Sequence, residues 1–105
     1  MTRPANSARG EAGLRVGGET LLLRPSFAAL VAAEEELGPL FALVERAAAG
    51  QLRLGEIAAL FWHCAVERPD GCTRERIGEA LAERGLAKAT PVLKLLLTQI
   101  LQGRV

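Results

Sequence analysis

Aromatic residues are scarce in this sequence: three Phe, one Trp and no Tyr among 105 positions. A core with so few rings must be built from Leu, Ala, Val and Ile, within an apolar share of 50%. Ala and Leu are the strongest helix formers, so a mostly helical domain is expected. Surplus charge is missing too. The formal net charge is +1 at pH 7, which gives no overall pull toward nucleic acid or anionic membranes. The run VLKLLLTQIL is shorter than the ~20 residues of a membrane span and carries Lys94. The opening MTRPANSARG lacks the apolar run of a signal peptide. The two cysteines, Cys64 and Cys72, are few for a chain with an ample core and suggest a reduced, cytoplasmic setting.

What is present organises into one domain, as the length suggests. Residues 1–10 are small, polar and Pro/Gly-containing and read as a flexible tail, with a single domain over 11–105. Gly17-Gly18 between two short runs signals a two-residue hairpin, because both positions tolerate positive φ. That register opposes Val16 to Glu19, Leu14 to Leu21 and Ala12 to Leu23. It gathers Ala12, Leu14, Val16, Leu21 and Leu23 on one face and leaves Arg15, Thr20, Leu22 and Arg24 on the other. A lone hairpin is marginal in water, so the apolar face must lie on helices.

Five helical segments follow. Ser26 is a good N-cap for a first helix in which Phe27, Leu30, Val31 and Leu37 share a helical spacing before Gly38. Pro39 suits the first position of a second helix ending at Gly50, with Leu40, Phe41, Leu43, Val44 and Ala47 as its apolar residues. A third spans about 54–67, with Ile57, Leu60, Phe61 and Cys64 at i, i+3, i+4, i+7. RPDG supplies the turn that ends it. Thr73 caps a fourth, with Ile77, Ala80 and Leu81 inward and Gly85 at its end. Thr90-Pro91 reads as the start of a fifth, closed by Gly103. Its apolar residues cover most of its girth, so it should be central or covered by a partner. The expected fold is α+β, mostly α: an N-terminal β-hairpin packed on a bundle of four to five helices.

Catalytic chemistry is not in evidence, and the reading is of a non-enzyme without cofactor or metal. His63-Cys64 joins a base to a nucleophile, but adjacent helical residues point about 100° apart. The spacing favours a buried thiol beside a surface histidine. Cys64, Cys72 and His63 lack a fourth ligand and a CxxC spacing for zinc. Neither a phosphate-cradling glycine motif nor HExxH occurs. In TRERIGEALAERG, Glu75, Glu79 and Glu83 balance Arg74 and Arg76, so a solvated face fits better than a DNA-reading helix.

The candidate partner-binding residues are Trp62, Leu22, Leu95 and the run Glu34, Glu35, Glu36. Trp62 lies off the apolar stripe. It is either an edge-of-core residue or an interface anchor, a role for which Trp is enriched. Leu22 on the polar hairpin face and Leu95 on the last helix would extend such a patch. Three consecutive Glu at a helix C-terminus oppose the helix dipole. They either pair with Arg15 or Arg24, simply solvate the helix, or form a recognition surface for a basic partner. On the recognition reading, neutralising them to Gln should stabilise the fold slightly and weaken binding.

The order of hairpin, GG turn, L-R-P-S-F-A-A-L and A-A-E-E-E-L-G resembles a small gene transfer agent and phage family encoded among tail genes. That family is labelled a tail tube or tail assembly protein and is often read as a tail assembly chaperone. The resemblance rests on Gly17, Gly18, Phe27, Leu30, Glu34, Glu35, Leu37 and Gly38, and on AAGQLRLGEIAALFWHC, and covers about residues 9–70. It implies a chaperone or adaptor that keeps the long helical tape measure protein soluble during tail morphogenesis. A homo-oligomer is compatible with it; nucleic-acid and membrane partners are not expected. The alternatives are a structural tail tube component and a helical interaction module unrelated to tails.

Overall fold

The computed structural model describes residues 12–16, 18–68 and 71–102. The proposed tail, Gly17 of the turn and the closing Gly103 lie outside them. Strands β1 (Ala12–Val16) and β2 (Glu19–Leu23) pair antiparallel in the expected register, Ala12 opposite Leu23 and Val16 opposite Glu19. Five helices follow: α1 (Phe27–Leu37), α2 (Leu40–Ala48), α3 (Leu54–Cys64), α4 (Arg74–Arg84) and α5 (Leu86–Gln102). The fold is therefore mostly helical, with a two-stranded hairpin packed against the helices. Side-chain caps set two helix starts as the residue types suggest: Ser26 Oγ accepts the Ala29 N–H at 3.2 Å and Thr73 Oγ1 accepts the Arg76 N–H at 3.2 Å. Gly38 takes φ +90° after α1 and sends its N–H to the Glu34 carbonyl at 3.0 Å, a backbone shape that a Cβ would penalise.

The centre of the molecule is α3. Ile57, Ala58, Ala59, Leu60, Phe61 and Cys64 are buried along it. It lies between α1 and α4, and its apolar residues join Leu14, Leu21 and Leu23 of the hairpin in one core with Ile77, Leu81 and Leu96. Burial drives the Cys64 thiol pKa up to about 12, so it stays protonated and inert.

Four expectations need correction. First, α3 ends at Cys64 rather than near residue 67. The chain straightens at Ala65 and runs beside β2: Ala65 bridges Leu23, the Arg24 N–H donates to the Cys64 carbonyl at 2.7 Å, and the Val66 N–H donates to the Leu22 carbonyl at 2.9 Å. These bonds occupy the outer backbone edge of β2, which a continued helix would have left bare. Second, Leu22 is buried, only 8% exposed, so its side chain is not part of a surface patch. Both faces of β2 are covered from Leu21 to Leu23.

Third, α1 is rolled relative to the expected face. Its buried residues are Ala29 and Ala33, while Phe27 is 85% exposed. Small residues let two helix backbones approach closely, and α1 takes that option against α3. Fourth, α5 begins at Leu86, with Pro91 inside it. Thr90 is not a cap; its hydroxyl donates back to the Leu86 carbonyl at 2.8 Å. Nor is α5 central: it rests on β1 and α4 with only Ala89 and Leu96 fully buried. Helix formers at 86–89 extend the helix backward, and burial of Ala89 holds that first turn in place.

Candidate functional site

The acidic turn at the end of α1 divides into three different residues. Glu34 turns toward the next helix, where its Oε2 accepts the Leu40 N–H at 3.1 Å. Pro39, which precedes α2, has no side chain able to cap it. The carboxylate therefore sits at the positive end of α2, where an anion is favoured. Glu36 turns the other way. Arg74 grips it with two bonds, Nη1 to Oε2 at 2.5 Å and Nη2 to Oε1 at 2.6 Å. His63 Nε2 lies 2.8 Å from Oε1. A carboxylate only accepts, so the imidazole proton sits on Nε2 and His63 donates. Glu36 thus ties the end of α1 to the last turn of α3 and the first of α4. The Arg74 hydrogen bonds first, and then that of His63, hold its pKa down at about 2, while Arg74 is raised in return. Glu35 is exposed.

A second clip joins α2 to α3. Arg46 donates to Glu56 at 2.6 Å, and the other Glu56 oxygen accepts the Arg53 N–H at 3.0 Å. The backbone bond from Arg53, then Arg46, lowers the Glu56 pKa. The expected partners of the acidic run, Arg15 and Arg24, are not used by it. Its pairing partners are Arg74 and His63, 38 and 27 residues away from Glu36 in sequence. Neutralisation to Gln is therefore expected to loosen the fold, reversing the expectation drawn from the dipole alone.

Trp62 is half-buried, and the Arg68 guanidinium lies 3.9 Å above its ring centre. The same side chain donates to the Trp62 carbonyl at 2.8 Å. This face of the indole is thus covered from within the chain. Leu95 is half-buried against the core.

The apolar surface lies elsewhere. Phe41 on α2 is 78% exposed and Leu101 on α5 is 53% exposed. They line one groove of about 170 Å³ with Leu40, Val44, Ile100 and Glu34. Phe27, Val31 and Glu34 fall at i, i+4 and i+7 on α1, so a second exposed apolar row runs up to the groove. Of the six residues singled out from sequence, the groove includes only Glu34. Phe27, Val31 and Phe41 were missed as surface residues because large apolar residues at a helical spacing read as the inward face, and Leu101 because α5 is apolar over most of its girth and its spacing singles out no outward side. The alanines at 29 and 33 were the available signal, since they offer α1 a competing face for close helix packing.

Among the described residues no group of His, Cys, Asp and Glu is arranged to hold a metal, and no helix is long and apolar enough to cross a membrane. The profile of a family described as "Phage tail tube protein, GTA-gp10" matches residues 9–103. No curated protein and no solved structure matches the chain.

Proposed function

From the chain's membership of the phage tail tube protein, GTA-gp10, family, we propose that it serves tail morphogenesis as an assembly chaperone or adaptor for the tape measure protein. The observation that carries the reading is the exposed apolar surface. Two of the three phenylalanines point to solvent in a chain that has few rings to spend. A tape measure presents long apolar helical stripes, and helical ridges with a groove between them can cover such stripes reversibly. Reversibility matters because tube subunits must later replace the chaperone. The work would be done in the cytoplasm, where tails are put together.

The family's description favours a second reading, a structural part of the tube. Tube walls are usually built from substantial β-sheet, whereas the described residues contribute one two-stranded sheet. The deciding experiment is co-expression with a tape measure protein from the same tail gene set. The chaperone reading expects that protein to become soluble and to co-purify. An insoluble tape measure, with this chain assembling alone into rings or tubes, would establish the structural reading instead. An interaction module unrelated to tails is set aside by the family membership.

A further inference from the structure

We infer that the groove between α2 and the end of α5, lined by Phe41, Val44, Ile100 and Leu101 with Glu34 at its rim, seats an amphipathic helix that carries Lys or Arg beside its apolar stripe. The inference rests on the tail-assembly reading for the identity of the partner, but not for the surface or the chemistry.

Several observations narrow the occupant. The volume, about 170 Å³, is below the ~300 Å³ at which ordinary small-molecule sites begin. It suits side chains projecting from a larger body. Phe41, at 78% exposure, stands above the groove rather than closing it, and Phe27 and Val31 extend the apolar area along α1. Among the described residues, an extended peptide finds no free edge on β2. The outer edge of β2 is bonded to the 65–66 segment, and α4 and α5 pack on β1. The exposed apolar rows are helical ridges, and a valley between helices takes another helix.

Charge selects the sequence of that helix. Among the described residues, Glu34 is the one charged group lining the groove. Its bond to the Leu40 N–H fixes the carboxylate in place without neutralising it. Glu45, four residues after Phe41, is also exposed. The nearby Arg46 is spent on Glu56. Lys94 lies seven residues before Leu101, about 10 Å back along α5 at 1.5 Å per residue. The acidic end is therefore the α1–α2 end, and the partner's cation should sit there. Such rim charges set orientation and on-rate more than affinity.

The test uses a synthetic 18-residue amphipathic helix with a Leu stripe flanked by Lys, and a twin flanked by Glu. Binding to the isotopically labelled full chain is followed by NMR at 50 mM salt. The expected result is shifts concentrated at Phe41, Val44, Ile100 and Leu101, with the Lys peptide bound several-fold more tightly than its twin. Phe41→Ser should weaken binding about tenfold or more, as truncation of a buried anchor does. Glu34→Gln keeps the acceptor for Leu40 and should weaken the Lys peptide by about 2–5-fold, in line with a partly exposed ion pair. Shifts elsewhere, or unchanged binding by Phe41→Ser, would overturn the surface. Equal affinity for the two peptides would overturn the charge requirement. A dimer in the free wild type that Phe41→Ser dissolves would make a second copy the occupant and sink the proposal. A tape measure that co-expression fails to solubilise, beside normal peptide binding, would refute the assembly role and leave this surface standing.

Discussion

At the residue scale, Glu36 shows how one side chain can be misread from its neighbours. Inside a run of three Glu it looks like one of a set, yet its carboxylate alone is held by both Arg74 and His63. Its pKa lies at about 2 against an ordinary 4.5. A depressed carboxylate contributes stability that is fully present above its unfolded value and lost as it protonates. The contribution should therefore hold above pH 4.5 and disappear between 4.5 and about 2. Its side chain is 37% exposed, so solvent screening reduces the gain well below what the shift alone implies. About 1 kcal/mol is the expected size, the upper end for exposed pairs. Glu36→Gln should cost that much in urea unfolding at pH 7, and the gap between variant and wild type should close by pH 2. A gap that is flat with pH would show that the pair does not act through charge. Glu35→Gln, at an exposed position, is the matched control and should change stability by less than about 0.5 kcal/mol.

At the scale of elements, local chemistry was legible and helix rotation was not. Ser26, Thr73 and the glycines at 38 and 85 mark helix boundaries because caps depend on neighbours within a turn. The hairpin register followed from the turn position and the alternation of Leu14, Val16, Leu21 and Leu23. The roll of α1 and the position of α5 depend on which neighbour each helix meets, and no local pattern carries that. The salt links of Glu36 were hidden for the same reason. Close packing between α3 and α4 gives a prediction at this scale. Gly78 sits mid-helix on α4, and a Cβ there would lie 3.8 Å from the Ala58 Cβ, an ordinary contact. Glycine's position is thus not required by space, and it weakens a helix interior by roughly 0.5–1 kcal/mol relative to Ala. Gly78→Ala should raise stability by about that amount in thermal or urea unfolding. A loss would mean that α3 and α4 need a closer approach than their Cβ atoms allow.

At the scale of the whole molecule, the three phenylalanines divide the structure by task. Phe61 is 0% exposed in the core, while Phe27 and Phe41 are 85% and 78% exposed. A chain poor in rings gains no folding energy from two of them. Truncating a buried Phe removes its transfer energy and leaves a cavity, at a cost of about 3–5 kcal/mol. Against the 5–15 kcal/mol of an ordinary domain, Phe61→Ala should leave the chain marginal. Phe27→Ser and Phe41→Ser should each change stability by no more than about 0.5 kcal/mol, as surface substitutions do. Unfolding curves of the three variants read the difference directly. The double Phe27→Ser, Phe41→Ser variant then separates folding from function: it should unfold like wild type and fail to hold the tape measure in solution. If that variant lost several kcal/mol of stability, the two rings would belong to the fold, and the apolar surface would have to be sought elsewhere on the helices.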